Sequence, residues 1–260
     1  MTPSHPPASS ALLETVPLRA GASISTDRVI YAHDGVSLDG YLALDESIDG
    51  PRPGILVLHD WTGEGDYTQV RAQMLARLGY VALVADLYGA GVRPTGDGAA
   101  AEAGKYYGDL PLLRARVQAG FDQLAAHPAV DAANIVVIGY CFGGSAALEF
   151  ARTGADVRGV VSFHGGLIAH NPADVDAIRA SLLILTGGND PVVPDSDVQA
   201  FQDELRTVPD LDWEVVTYSG APHAFTLPET DMYRPVADAR SWQRFLAFLD
   251  EVLAPVPAAA

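Results

Sequence analysis

The feature that most constrains the fold of this chain is an apolar run that leads directly into a glycine-bounded turn. Residues 135–138 read Ile-Val-Val-Ile, and Gly-Tyr-Cys-Phe-Gly-Gly follows them. A β-branched run is typical of a buried strand, and the small residues after the turn favour a helix. A strand-turn-helix corner of this kind lifts the side chain at its apex above the sheet edge. That apex is Cys141, and Gly139 and Gly143 avoid the collisions that larger side chains would cause there.

Cys141 is the only cysteine in the chain. At the first turn of a helix, its thiolate would be stabilised by unpaired N–H groups and by the positive end of the helix dipole. Most lone cysteines are instead small buried apolar residues. The spacing of the flanking glycines favours the reactive interpretation, so we predict that Cys141 is a nucleophile.

Continuous apolar runs alternate with helix-like segments along the chain. The runs lie at 54–59, 80–86, 135–138, 157–164 and 181–187. Runs of this kind are typical of a parallel sheet with both faces covered. Nearer the N terminus, Asp34-Gly35 separates two further strand-like runs and predicts a tight hairpin turn. We therefore predict an α/β fold with a mostly parallel central sheet, an N-terminal antiparallel hairpin and helices on both faces.

The composition fits one domain. The chain has 260 residues, of which 48% are hydrophobic, and single domains of this length are common. We assign this domain to residues 26–254. Residues 1–25 are rich in proline, alanine and serine without periodicity, which predicts a flexible N-terminal arm, and residues 255–260 are expected to form a frayed tail.

The formal net charge is −17, which repels nucleic-acid phosphates and anionic membranes, so we expect neither as a partner. No apolar run approaches the ~20 residues that cross a bilayer, and the first residues lack the pattern of a signal peptide. Together with a single unpaired cysteine, this favours the reducing cytoplasm. The expected partner is a small molecule, and the expected assembly is a monomer or a small homo-oligomer.

Two polar residues follow later strands, where a parallel sheet places its sites. Asp190 comes after the run at 181–187, and His223 comes after a strand predicted at 213–218. With Cys141 they give the chain order nucleophile, acid, histidine, which is the order used by α/β-hydrolases. His223 would take the thiol proton and later protonate the leaving group, while Asp190 would orient the imidazole and stabilise its charged form.

Each of these residues has a structural alternative. Asp190 precedes a proline and could simply start a turn, and His223 could be an ordinary loop histidine. Their positions after strands favour catalysis for both. His59 and His164 also follow strands, but neither fits the chain order of a general base.

An oxyanion hole needs two N–H donors that point at one position. The backbone N–H of Phe142 would supply one donor, and that of Trp61, in the loop after the run at 54–59, would supply the other. The residues that we expect to line the pocket are Trp61, Tyr88, Arg93, His164 and Phe225. The sequence has no His-Glu-x-x-His motif, no cysteine pair and no Gly-x-Gly-x-x-Gly motif, so we expect neither a metal nor a cofactor.

Four segments resemble the dienelactone hydrolase family. They are Gly-Tyr-Cys-Phe-Gly-Gly at 139–144, Asp-Leu-Tyr-Gly at 86–89, Asn-Asp-Pro at 189–191 and Pro-His-Ala-Phe at 222–225. The resemblance implies the α/β-hydrolase fold, no cofactor, and a triad of Cys141, Asp190 and His223. Members of the family hydrolyse enol-lactones and other esters, and their cysteine separates them from most α/β-hydrolases, which use serine.

The resemblance also indicates where this chain departs from the family. A family glutamate that pairs with the resting thiol corresponds to Asp60, which would either take that part or brace its loop. Family arginines hold a substrate carboxylate, and one of them corresponds to Leu227 here, while Arg93 would correspond to another. Because leucine replaces the family arginine at position 227, we expect a less charged ester or lactone as substrate at least as much as a dienelactone.

The chemistry of the thiol limits which substrates can be cleaved. A thiolate attacks well but also leaves well, so a tetrahedral intermediate expels it in preference to an amine or a simple alkoxide. We therefore predict a cofactor-independent hydrolase that cleaves activated esters, enol-lactones or thioesters through a Cys141 thioester. The alternatives are an acyltransferase or thioesterase with the same triad, and a non-catalytic binding protein that keeps the fold.

Overall fold

The computed structural model describes residues 5–170 and 174–253. Its helices are α1 (Pro7–Leu13), α2 (Asp66–Arg77), α3 (Asp97–Tyr107), α4 (Leu110–Ala125), α5 (Phe142–Ala151), α6 (Asp195–Leu205) and α7 (Pro235–Val252). Its strands are β1 (Ile24–His33), β2 (Val36–Asp45), β3 (Arg52–Leu58), β4 (Val81–Ala85), β5 (Val130–Tyr140), β6 (Gly159–Phe163), β7 (Ser181–Gly187) and β8 (Trp213–Tyr218).

The strands form one eight-stranded sheet in the order β1-β2-β4-β3-β5-β6-β7-β8. β1 pairs antiparallel with β2, and β2 pairs antiparallel with β4. Every pair from β4 to β8 is parallel. The predicted fold class is therefore confirmed, and the parallel strands bring their carboxyl ends to one edge of the sheet.

The hairpin turn between β1 and β2 forms as its sequence predicts. Asp34 and Gly35 have φ angles of 48° and 75°. Two successive positive φ values are those of the type I′ turn, which matches the twist of the strands on either side.

The two faces of the sheet are covered by different helices, as the apolar strands require. Successive side chains of β3 point to opposite faces. Leu56 and Leu58 belong to the core cluster that includes α4 and α5. Ile55 and Val57 belong to the cluster that includes α2 and α7.

The N-terminal segment differs from its prediction as a flexible arm. Residues 7–13 form α1, and Leu12, Leu13 and Val16 are buried against the cluster that includes α2. Arg77 of α2 donates hydrogen bonds to the carbonyl oxygens of Leu13 and Val16 at 3.0 and 2.8 Å. The three buried apolar side chains dock this short helix on the domain. Residues 1–4 and the tail predicted at 255–260 lie outside the described residues.

The glycine-rich segment after β4 contains a helix that the sequence did not reveal. α3 is built on alanines at 99–101 and 103, which favour a helix, but Gly98 and Gly104 within it lower that propensity. None of the helices in the described ranges is both long and apolar enough to cross a membrane.

Candidate active site

The turn between β5 and α5 is the sharp corner that the sequence predicts. Cys141 at its apex has a φ of 54°, a strained value for a residue with a side chain. A Cβ added at Gly139 would lie 2.0 Å from the carbonyl oxygen of Gly143, and one at Gly143 would lie 2.4 Å from that of Leu58. Only glycine fits at these two positions, because the atoms in the way belong to the backbone.

The structure brings the three predicted triad side chains together beyond the ends of β5, β7 and β8. Nε2 of His223 lies 3.1 Å from Sγ of Cys141, and Nδ1 lies 2.9 Å from Oδ2 of Asp190. The other carboxylate oxygen of Asp190 accepts hydrogen bonds from the backbone N–H groups of Val192 and Val193 at 2.8 and 3.1 Å. One oxygen of this carboxylate is therefore held by the backbone, while the other faces the imidazole.

The surroundings of His223 favour its charged form. Burial opposes that charge, but the hydrogen bonds to Asp190 and Cys141, together with their negative charges, raise the pKa of His223 to about 10. The imidazole is therefore protonated at neutral pH and faces the sulfur. Its Nε2 lies within hydrogen-bond reach of Sγ of Cys141, which is the arrangement that proton exchange with a sulfur nucleophile needs.

A cavity of about 550 Å³ opens onto the sulfur and the imidazole. Its wall combines the loop after β3, one face of α3, the corner at β5, and the loops after β7 and β8. The lining residues are Asp60, Trp61, Ala100, Ala103, Gly104, Tyr107, Cys141, Phe142, Pro191, Val192, His223, Ala224, Leu227, Thr230 and Met232. This volume suits a small organic molecule.

Phe142 and Trp61, which the sequence predicts as the oxyanion-hole residues, line the same cavity as Cys141. Phe142 is the first residue of α5, where backbone N–H groups have no partner within the helix. Within the described part of the chain, neither its N–H nor that of Trp61 donates a hydrogen bond to another protein group. The side chain of Trp61 lines the cavity and is 40% exposed.

Asp60 lines the cavity, and its observed contacts are those of a loop brace. Oδ1 accepts hydrogen bonds from the backbone N–H and the hydroxyl of Thr62 at 2.8 and 2.5 Å. The sulfur of Cys141 is instead paired with His223. Of the two roles that the resemblance left open, the geometry favours the bracing of the loop.

Arg93 was expected in the pocket, but it does not line the cavity. Its guanidinium donates to Oε2 of Glu64 at 2.8 Å and to the carbonyl oxygen of Val92 at 2.8 Å. Glu64 is 3% exposed and also accepts from Arg28. A buried carboxylate needs such cationic partners, so Arg93 is held away from the sulfur.

Tyr88 lies behind the cavity wall rather than in it. Its ring packs against that of Phe142, with 5.3 Å between the centroids. Its hydroxyl donates to the carbonyl oxygen of Trp61 at 3.2 Å. Tyr88 therefore supports both residues that carry the unpaired N–H groups.

His164 and Phe225, also expected in the pocket, are buried behind His223. The ring of His164 meets that of His223 edge to face with 5.5 Å between the centroids, and it meets that of Phe225 edge to face at 5.3 Å. Nε2 of His164 lies 2.6 Å from Oγ1 of Thr226. Burial, with the positive charges of His223 and Arg71, lowers the pKa of His164 well below its ordinary value, so this ring is a neutral support.

His59 is likewise structural. Its Nδ1 lies 2.6 Å from the carbonyl oxygen of Asp60, and its Nε2 accepts from the N–H of Leu87 at 3.1 Å. Burial lowers the pKa of His59. The neutral ring ties the end of β3 to the end of β4.

Several lining residues were not predicted from the sequence. They are Ala100, Ala103, Gly104 and Tyr107 on α3, and Thr230 and Met232 after β8. The small residues of α3 recur at helical spacing, which is the one signal that could have found them. Among residues 5–170 and 174–253, no group of three His, Cys, Asp or Glu side chains is arranged to hold a metal ion.

Comparison with known proteins agrees with this geometry. The family model described as "Dienelactone hydrolase family" matches residues 38–253. A Bradyrhizobium protein named "Probable 2-oxo-3-(5-oxofuran-2-ylidene)propanoate lactonase" is 30% identical over 243 residues, which is 88% of this chain and 96% of that protein.

Solved structures give the same result. A dienelactone hydrolase-like promiscuous phosphotriesterase from metagenomic libraries is 36% identical with a TM-score of 0.86, and the match covers 90% of this chain and all of that one. The dienelactone hydrolase from Anabaena variabilis shares the fold, with a TM-score of 0.65 at 21% identity over 89% of this chain and 99% of its own. This chain therefore belongs to the dienelactone hydrolase family and is a hydrolase with the α/β-hydrolase fold.

Proposed function

We propose that the enzyme hydrolyses activated carboxylic esters, enol-lactones among them, through a thioester on Cys141. The observation that carries the proposal is the pair of hydrogen bonds that joins Asp190 to His223 and His223 to the sulfur, in the lining of a cavity that fits a small molecule. The nucleophile, the base and the residue that orients the base then stand in the relation that covalent catalysis requires.

Acylation follows from this arrangement. The thiolate of Cys141 attacks the carbonyl carbon, a C–S bond forms, and the carbonyl electron pair moves to the oxygen. We assign the N–H groups of Phe142 and Trp61 as the donors to that oxyanion. When the carbonyl re-forms, the bond to the leaving oxygen breaks, and Nε2 of His223 gives this oxygen its proton.

Deacylation reverses the roles of the same groups. Neutral His223 takes a proton from a water molecule, whose oxygen attacks the thioester carbon. The C–S bond then breaks, the carboxylic acid departs, and the thiolate and the imidazolium are restored. Asp190 stabilises the charged imidazole in both halves of the cycle.

The thiolate limits which substrates react. The first tetrahedral intermediate expels whichever group leaves more easily, so a simple alkoxide competes poorly with the thiolate of Cys141. Enolates and phenolates leave readily. The name of the Bradyrhizobium relative refers to a lactone with an unsaturated ring, which supports activated lactones as substrates here.

A second activity deserves a parallel assay. The solved relative at 36% identity is a promiscuous phosphotriesterase by name, and no arginine or lysine of the described residues lines the cavity here. An uncharged phosphotriester could therefore enter as readily as an uncharged ester. The sulfur would attack phosphorus in place of carbon and expel the same kind of phenolate.

The test is the turnover of p-nitrophenyl acetate and of a dienelactone by the native chain, Cys141→Ala and His223→Ala. We expect native turnover, a loss of about a thousandfold or more in both variants, and an acetyl group on the Cys141 peptide in mass spectra of quenched reactions. We place the enzyme in the reducing cytoplasm, where a lone thiol persists, so the assays contain a reductant.

Three outcomes would contradict the proposal. Turnover that survives in Cys141→Ala would exclude the thioester. Transfer of the acetyl group to an added alcohol or thiol in preference to water would identify an acyltransferase. A folded native chain that binds these esters without cleaving them would support the binding-protein alternative.

A further inference from the structure

One wall of the cavity is a face of α3 that carries very little side-chain bulk. Ala100, Ala103, Gly104 and Tyr107 line the cavity, and their spacing places them on one side of the helix. Three of these four side chains are no larger than a methyl group. A Cβ added at Gly104 would meet no heavy atom within 4 Å, so the space beside this face is open.

Exposed apolar surface is concentrated at the same cavity. The described part of the chain has seven large apolar side chains that are exposed, and four of them line the cavity: Trp61, Tyr107, Val192 and Met232. Apolar surface that collects in one place marks a binding site rather than chance exposure. The cavity therefore offers its ligand apolar contact on the α3 side and around the opening.

No arginine or lysine of the described residues offers a partner for a substrate carboxylate in this cavity. Within the described residues, neither an arginine nor the single lysine lines the cavity. Arg93 is paired with Glu64, and Lys105 is paired with Glu102 at 2.5 Å. The lining instead contains Asp60, and the net charge of −17 adds a field that repels anions. A negatively charged acyl group therefore meets no arginine or lysine among the residues that line this cavity.

The order of the strands decides which half of the substrate faces α3. Cys141 follows β5, which lies between β3 and β6. His223 comes from the β7 and β8 side, whereas the Trp61 loop and α3 follow β3 and β4 on the other side. The leaving group has to reach the proton of His223. The leaving group therefore lies toward β7 and β8, and the acyl group lies toward α3.

We propose that this face of α3 is an acyl pocket, and that the enzyme prefers esters with a large, uncharged, apolar acyl group. The inference rests on the proposed function, because it takes the Cys141 thioester as given. Each methylene added to the acyl chain should raise kcat/KM about fourfold until the pocket is full, since burying one contributes about 0.8 kcal/mol. A chain of similar length that ends in a carboxylate should lose this gain.

The substrates for the test are p-nitrophenyl acetate, butyrate, hexanoate and octanoate, with mono-p-nitrophenyl glutarate as the anionic probe. The variant Gly104→Leu fills the open space beside α3. Its matched control, Ala101→Leu, puts the same side chain at an exposed position of the same helix that does not line the cavity. We expect Gly104→Leu to lower kcat/KM for the octanoate about tenfold or more beyond any change for the acetate, and Ala101→Leu to keep the native ratio of the two.

Folding does not confound this variant. Leucine is a better helix former than glycine, so Gly104→Leu should raise the melting temperature while it lowers turnover of the long ester. A lowered melting temperature would show that the leucine is not accommodated, and the milder Gly104→Ala, with a smaller loss for the octanoate, then takes its place.

The outcomes separate this inference from the proposed function. A flat dependence on acyl length, a preference for the glutarate, or equal losses in the two leucine variants would overturn the acyl pocket while turnover through Cys141 stands. If the loss of kcat/KM in Gly104→Leu depends instead on the alcohol half, tested with acetates of different phenols, the leaving group rather than the acyl group lies against α3. A folded native chain that is inert to every ester would instead refute the proposed function.

Discussion

Replacing Asp190 with asparagine tests whether this carboxylate sets the proton affinity of His223. Nδ1 of His223 lies 2.9 Å from Oδ2 of Asp190, whose side chain is 1% exposed, so little water screens the pair. A hydrogen bond to a charged group contributes about 1.5–3 kcal/mol, and about 1.4 kcal/mol corresponds to one pKa unit. Asp190→Asn should therefore lower the pKa of His223 from about 10 to about 8–9.

The change should appear in the pH dependence of acylation. Protonated His223 gives its proton to the leaving group, so the rate falls as pH rises through the pKa of this histidine. The alkaline limb of kcat/KM should thus move down to about pH 8–9 in Asp190→Asn. Phenyl acetate is the substrate of choice because phenolate is a poorer leaving group than p-nitrophenolate, so its departure depends more on the proton of His223. NMR titration of the imidazole Hε1 measures the same pKa without turnover.

The matched control is Asp195→Asn, which removes an exposed carboxylate from the first turn of α6. Its charge is screened by solvent, so the pKa of His223 should hardly move. The reasoning is refuted if the NMR pKa of His223 stays near its native value in Asp190→Asn, or if the control shifts it as much.

Three further substitutions test the supports of the site. Gly143→Ala would place a Cβ 2.4 Å from the carbonyl oxygen of Leu58, and we expect a loss of about 1–3 kcal/mol in unfolding free energy; unchanged urea denaturation would show that the corner has room. Thr226→Val leaves Nε2 of His164 without its 2.6 Å partner, so we expect the free energy of unfolding to fall by about 1–3 kcal/mol and kcat to fall as well. Thr226→Ser keeps the hydroxyl and should have nearly native values of both. A serine variant as impaired as the valine variant would exclude the hydrogen bond as the cause. Leu12→Ala should lower the free energy of unfolding by about 2 kcal/mol because this side chain is only 6% exposed. A change within the error of the unfolding measurement would instead support the prediction that this segment is a flexible arm.

The sheet and the positions of the three triad residues could be predicted because both depend on local patterns. Buried parallel strands are nearly continuous apolar runs, and the residues that follow them meet at one edge of the sheet. Cys141, Asp190 and His223 could therefore be placed together without knowledge of any contact. The corner was equally local, since its glycines lie within a few residues of the sulfur.

The pocket could not be predicted, because distant partners decide where its side chains point. Arg93 turns to Glu64, which is 29 residues away in the chain, and His164 turns to Thr226, which is 62 residues away. Neither partner is marked by any local pattern. α1 escaped prediction for a related reason, since a helix of seven residues owes its stability to packing rather than to propensity.

The nucleophile and the cavity restrict opposite halves of the substrate. The thiolate of Cys141 demands an alcohol half that leaves easily, whereas the α3 face and its lack of basic neighbours select the acyl half. Because these halves lie on opposite sides of β5 in our assignment, their effects on log kcat/KM should add. A grid of acyl chain lengths against substituted phenols measures this directly, and Gly104→Leu should change the dependence on acyl length while the dependence on phenol acidity keeps its slope. A slope that changes with acyl length would mean that both halves compete for one space, and the separation of roles between the sulfur and α3 would fail.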